Sequence, residues 1–213
     1  MSRILIFANG RLPDPGRAST LLKENDLIIA ADGGTRHVLS LGRRPACVIG
    51  DLDSISGEEL KILENGGIDI IQFPADKVQT DLELALGHAL TLDPAQIVIV
   101  GGLGGRMDQT LGNIALLTDT RLSVLDVRFD DGVEEIFLCR DRVEIEGRSG
   151  DIVSLIPWGV EVSGILTENL RWPLNDEPLF HDKTRGISNE MLGEKAIIKI
   201  RSGILLIVHQ RLS

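Results

Sequence analysis

Five short apolar runs mark the first hundred residues: Ile4 to Ala8, Leu27 to Ala31, Ala46 to Ile49, Ile68 to Phe73 and Ile97 to Val100. Runs this short suit buried strands, and helical spacing appears between most of them. Ser56 with Glu59 forms a capping box for a helix that Gly66-Gly67 closes, and Thr80 with Glu83 forms a second. Leu82, Ala85, Leu86 and Ala89 share one helical face, as do Met107, Leu111, Ile114 and Ala115. A shorter helix fits Thr35 to Leu41, and Leu122 to Val127 reads as the closing strand. Strands alternating with helices build a parallel sheet covered on both faces.

The period changes after about Asp130. Short alternating runs follow, at Glu134–Leu138, Val143–Glu146, Ile152–Ile156, Val160–Leu166, Lys195–Ile200 and Ile204–His209. Turn residues such as Gly147-Arg148-Ser149-Gly150 separate them, the pattern of a small antiparallel sandwich or barrel. The boundary falls near residues 128–133. The expected architecture is an α/β, Rossmann-like parallel-sheet domain over residues 1–130 and an all-β domain over residues 131–213. A chain of 213 residues has room for both cores.

The formal net charge of -10 argues against a non-specific nucleic-acid binder, which needs a basic face. It suits an enzyme that meets phosphates through a metal ion. No apolar run reaches membrane-spanning length, and Met1 to Phe7 begins a strand with no cleavage site, so no membrane segment or secretory signal is expected. Cys47 and Cys139 sit in apolar runs and read as buried, reduced thiols of a cytoplasmic protein. The four histidines show no zinc-ligand spacing.

The candidate chemistry lies where strands end. In an open parallel sheet, ligands collect beyond the carboxyl ends of the strands. The Ala46–Ile49 run stops at Gly50-Asp51-Leu52-Asp53, and two carboxylates so spaced are a hard-oxygen pair suited to Mg²⁺. Asp32, Asp76 and Asp81 also follow strands or open helices. Five carboxylates converging on one edge would repel strongly without a cation. Each also suits a turn or cap, and Asp81 fits the helix dipole at its position. Gly101-Gly102-Leu103-Gly104-Gly105 lets backbone N–H groups approach phosphate, and Arg106 behind it is built for bidentate contact with phosphate oxygens. No Walker or dinucleotide pattern is met there. Asp108 suits either fixing Arg106 or binding a ribose hydroxyl. The chain has no tyrosine, so Trp158 and Trp172 stand out. Trp172, between Arg171 and Pro173, suits a stacking platform for a flat ring as well as a core position.

Taken together, Ala31-Asp32-Gly33-Gly34, Gly50-Asp51-Leu52-Asp53-Ser54-Ile55, Pro74-Ala75-Asp76-Lys77-Val78-Gln79-Thr80-Asp81-Leu82-Glu83 and Gly101 to Asp108 resemble the thiamine pyrophosphokinase family. In the second half Ser154-Leu155-Ile156-Pro157, Leu170 to Leu174 and Ser188-Asn189-Glu190 match in order, so the resemblance covers nearly the whole chain. It implies an α/β domain holding Mg–ATP, a β domain helping to hold thiamine, and transfer of the β,γ-pyrophosphoryl group of ATP to the thiamine hydroxyl with release of AMP. It further implies homodimers with thiamine bound where subunits meet. Carried over by motif, Asp51, Asp53 and Asp81 are the Mg²⁺ and catalytic carboxylates, with Asp76 a fourth metal ligand. Asp32, Gly33, Lys77, Thr80, Arg106 and Asp108 are nucleotide contacts, and Trp172, Ser188 and Asn189 face thiamine. Gln109 departs from the family's histidine, so no acid/base role carries over to it. Two other readings stay open: a Mg-dependent nucleotide or sugar-phosphate enzyme with another acceptor, and a non-catalytic thiamine or nucleotide sensor.

Overall fold

The computed structural model describes residues 2–212, with Met1 and Ser213 outside the described residues. The chain divides after Gly132 into two compact units.

The first unit is built on parallel strands β1 (Ser2–Phe7), β2 (Leu27–Ala31), β3 (Cys47–Gly50), β4 (Asp69–Gln72), β5 (Pro94–Val100) and β6 (Asp126–Asp130). Their spatial order is β6-β5-β1-β2-β3-β4, every neighbour parallel. Because both faces are covered, successive residues are buried rather than alternating, as in Ile4-Leu5-Ile6-Phe7. Leu5, Phe7, Ala30, Val48 and Val98 share one cluster with Val38 and Leu63 from the helices α2 (Thr35–Ser40) and α3 (Gly57–Asn65). Helix α4 (Asp81–Leu90) packs on β1, β2, β3 and β5 through buried Leu82, Ala85, Leu86 and Ala89. Burying each of those leucines contributes roughly 1.5–3 kcal/mol. Helix α5 (Met107–Leu116) follows β5, and a short α1 (Pro15–Ser19) follows β1.

Local chemistry fixes the helix starts. Ser56 and Glu59 exchange both bonds of the capping box at α3. At α4 only half of the box forms: Thr80 accepts from the Glu83 N–H, while the Glu83 carboxylate takes a 3.4 Å bond from Gln79. Two sequence expectations are corrected, and one helix had no sequence signal. Leu122 lies in a 3-10 turn capped by Asp119, and β6 begins at Asp126, because Ser123 and an exposed Val124 break the apolar run. Of the α5 face, Ile114 is buried but Met107 and Leu111 are exposed. Helix α1 carries no apolar period; Asp14 caps it and Pro15 opens it.

The second unit is an antiparallel sandwich. One sheet runs β12 (Asn189–Glu190), β9 (Ile152–Pro157), β14 (Leu205–Gln210) and β7 (Glu134–Cys139); the other runs β11 (Asn175–Leu179), β10 (Val162–Glu168), β13 (Lys195–Lys199) and β8 (Arg142–Glu146). Alternation buries Val153 and Leu155 from one sheet against Ile145, Ala196 and Ile198 from the other. Strands β11 and β12 lack an apolar signature; both are edge strands, where polar residues and Pro178 are tolerated. One polar cluster is buried in this unit. His209 lies 2.9 Å from Glu135 through Nδ1 and 3.2 Å from Asp151 through Nε2, and Asp151 also accepts the Arg148 and Leu212 N–H groups. Both cysteines are free and buried, and burial pushes each thiol up to about 11.

Candidate active site

Parallel register brings the acidic residues together. Ala31 pairs with Ile49 across β2 and β3, so Asp32 and Asp51 leave neighbouring strand ends side by side. Asp32, Asp51 and Asp53 each offer a carboxylate oxygen, all within 4.8 Å of one another. Asp32 is buried, with φ at +45°, and its Oδ1 has no hydrogen-bond partner among the described residues. Gly50 makes the crowding possible. A Cβ there would stand 2.8 Å from the Asp32 Cβ and 3.1 Å from Asp81 Oδ1. Only glycine admits that approach.

Lys77 bridges the edge. Its Nζ lies 3.0 Å from Asp51 Oδ2 and 3.0 Å from Asp81 Oδ1. The hydrogen bond from Lys77 holds Asp51 below the usual carboxylate range. Asp81 moves the other way, because its burial outweighs the Lys77 charge. Desolvation pulls the Lys77 ammonium down, but the hydrogen bonds and charges of Asp51 and Asp81 leave it raised.

The glycine loop after β5 stands beside this edge. Gly101, Gly104 and Gly105 all have positive φ, near +65°, +79° and +80°. Gly10 N donates to Gly101 O at 2.6 Å and Arg11 N to Leu103 O at 2.9 Å, so the loops after β1 and β5 are zipped together. From α2, His37 Nε2 meets Gly10 O at 2.9 Å. Arg106 caps α5 and pairs with Asp108 through two contacts, Nε–Oδ1 at 3.1 Å and Nη2–Oδ2 at 2.5 Å. Asp108 therefore fixes the arginine. A cavity of about 630 Å³ opens here, lined by Asp32, Asp51, Asp53, Lys77, Thr80, Asp81, Arg106 and others. That size suits a nucleotide-class ligand.

Some sequence-chosen residues stand apart. Asp76 is exposed and outside both the three-carboxylate group and the cavity lining, and neither Gly33 nor Asp108 lines the cavity. The lining adds residues that sequence reasoning passed over, Asn9, Arg11, Arg36 and Asn113, together with Gln109, to which it gave no role. Asn9-Gly10 had a readable signal, a turn pair at the carboxyl end of β1.

In the sandwich unit Trp172 is 57% exposed, with the Arg171 guanidinium 5.1 Å from its ring centroid. Asn189 clamps the Trp172 backbone: Oδ1 accepts its N–H at 3.0 Å and Nδ2 donates to its carbonyl at 2.7 Å. The buried Asn189 carboxamide is thus committed to the turn, and Glu190 holds Arg171 at 2.8 Å. Ser188 is exposed, with φ at +58°. Trp158 is half-buried beside β9.

The family model for the thiamin pyrophosphokinase catalytic domain matches residues 18–129, and that for the family's vitamin B1 binding domain matches residues 142–205. The chain belongs to the thiamin pyrophosphokinase family. A thiamine pyrophosphokinase of Bacillus subtilis is 32% identical over 187 residues, 87% of each chain. Thiamine pyrophosphokinase 1 of Arabidopsis thaliana is 30% identical over 94% of this chain and 84% of its own. The crystal structure of the Bacillus subtilis thiamine pyrophosphokinase superposes over 100% of both chains, with a TM-score of 0.90 at 30% identity. The catalytic match falls within the first unit, which carries the acidic edge. The vitamin B1 match falls within the sandwich, which carries Trp172.

Proposed function

We propose that this member of the family transfers the β,γ-pyrophosphoryl group of ATP to the hydroxyl of thiamine, giving thiamine diphosphate and AMP. The observation that carries the reading is the convergence of Asp32, Asp51 and Asp53 at a cavity that Lys77, Arg106 and a glycine loop complete. The set fits a hard divalent cation. Three carboxylates present oxygens to a common point, and the buried Asp32 Oδ1 lacks any other partner among the described residues. Asp32, Asp51 and Asp53 would hold Mg²⁺, which when bound draws charge from phosphate oxygens.

The remaining work is positioning and charge neutralisation, which dominate phosphoryl-type transfer. Arg106, braced by Asp108, and Lys77 supply positive charge to the phosphates. The positive-φ glycines leave room for backbone N–H groups to approach them. Asp81, which lines the same cavity beside Lys77, is the carboxylate we assign to accept the hydroxyl proton. Trp172 offers a ring face for thiamine, and Asn189 acts through Trp172 by fixing its backbone.

The active unit in this reading is a homodimer that joins the acidic edge of one subunit to the ring platform of the other. Phe180, Ile187 and Leu192 are exposed on the sandwich, apolar surface that a second copy would cover. A cytoplasmic location accords with the two free thiols; among the described residues no helix is long and apolar enough to cross a membrane. The test is to incubate the protein with thiamine, ATP and Mg²⁺ and separate the products. Thiamine diphosphate with AMP, each requiring both substrates, is expected; ADP with thiamine monophosphate would make it a simple kinase.

A further inference from the structure

The charge that holds the acidic edge together in this structure is the Lys77 ammonium, whose side chain is only 12% exposed. It touches Asp51 Oδ2 and Asp81 Oδ1, both at 3.0 Å. Asp51 belongs at the same time to the group of three carboxylates, with Asp32 and Asp53. Asp32, 3% exposed, keeps an oxygen unpartnered among the described residues. The edge therefore has one carboxylate shared by two cation positions, and the second position presents a buried oxygen that no described protein group satisfies. An ammonium and a divalent ion held on the same Asp51 carboxylate repel one another, so each weakens the other's hold on it.

We propose that Lys77 is a displaceable internal cation: it ties Asp51 to Asp81 until a divalent metal enters the Asp32–Asp51–Asp53 group, and it is then released toward the cavity. The inference rests on the metal reading given under Proposed function. An ammonium suits the task because it is a compact charge on a flexible stem, free to exchange partners without breaking a planar fork. Released, it lies among the lining residues of the same cavity as Arg106, where triphosphate oxygens are its next partners. Metal entry and phosphate binding are thereby coupled, each favouring the other. Lys77 is in this sense a positioning residue for the metal as well as a phosphate contact.

The experiment is direct Mn²⁺ binding, read from the electron paramagnetic resonance of the free ion, with no nucleotide or thiamine present. Wild type, Lys77→Gln, Lys77→Arg and Asp53→Asn are compared, with thermal melts in chelator and in Mn²⁺ to check folding. Removing the competing charge in Lys77→Gln is expected to tighten Mn²⁺ binding about tenfold, within the usual range of site–site coupling. Lys77→Arg, which keeps the charge, stays near wild type. In chelator Lys77→Gln melts lower than wild type, and Mn²⁺ closes the gap. Unchanged or weaker binding in Lys77→Gln, with binding still lost in Asp53→Asn, overturns the displacement and leaves the acidic edge as a metal site. Binding that no variant alters, Asp53→Asn included, overturns the metal reading and the displacement with it.

Discussion

Asp32→Asn separates a functional carboxylate from a structural one, because the two roles move stability in opposite directions. Asp32 is 3% exposed, and its Oδ1 has no hydrogen-bond partner among the described residues. It lies in the group with Asp51 and Asp53, and its charge adds to the burial that raises Asp81. Its φ of +45° is one that asparagine tolerates as well as aspartate does. The replacement is isosteric, so the backbone need not move. A buried polar atom left unpaired costs about 1–3 kcal/mol, and more when it is charged. Asparagine still leaves an unpaired atom but removes the repulsion, so relief of about 1–2 kcal/mol is expected in chelator. At about 2–4 °C per kcal/mol for a chain of this size, Tm rises by about 2–8 °C. Turnover with thiamine, ATP and Mg²⁺ falls about a hundredfold, the scale of losing one major electrostatic contact. Calorimetry in chelator and a coupled AMP assay read the two arms. A lower Tm with normal turnover would make Asp32 a turn residue and refute the reasoning.

Gly50→Ala forces a Cβ to within 2.8 Å of the Asp32 Cβ, so it should cost about 1–3 kcal/mol in a melt and at least about tenfold in kcat; normal kcat would show that the acidic edge does not depend on this close approach. Trp172→Ala should raise the KM for thiamine about tenfold while leaving that for ATP unchanged. Equal loss for both substrates with a lower Tm would make Trp172 a packing residue. Co-refolding Asp53→Asn with Trp172→Ala should give about half of wild-type activity per heterodimer at the wild-type KM for thiamine if sites are composite, since one site then carries both lesions and the other none; the raised KM of Trp172→Ala in verified heterodimer confines each site to one chain. The Lys77 pairing also has a pH signature. Asp51 is held below its unfolded value of 3.8, so its contribution is present above that value and lost as pH falls through the lowered folded one. Lys77 is raised above 10.5, so its contribution is present below that value and lost as pH rises through the raised one. The difference in Tm between wild type and Lys77→Met should therefore be largest between these limits and shrink beyond both; a constant difference would exclude the ion pair as its source.

The parallel sheet was legible because β1, β2, β3 and β5 carry unbroken buried apolar runs, and the helix starts because Ser56 and Thr80 are chemically unambiguous caps. The acidic loops were legible as strand-end residues converging on one edge, but which of them group together was not. Sequence spacing joins Asp51 to Asp53, whereas the strand register that sets Asp32 beside them is a three-dimensional fact. Asp76 has the same local look as its neighbours and ends up exposed, since nothing in its loop's composition tells which way it faces. The Lys77–Asp51 contact and the buried Glu135–His209–Asp151 cluster were hidden for the same reason: each joins residues far apart in sequence. The edge strands β11 and β12 escaped because an edge demands little apolar surface.

The central claim is that the pyrophosphoryl group moves intact from ATP to thiamine at the acidic edge. A single-turnover experiment with ATP labelled at the β-phosphorus, quenched and resolved by chromatography, tests it most directly. The account predicts label in thiamine diphosphate and unlabelled AMP, with the transfer slowed about a hundredfold in Asp53→Asn. Label retained in ADP, or transfer unaffected by Asp53→Asn, would contradict it.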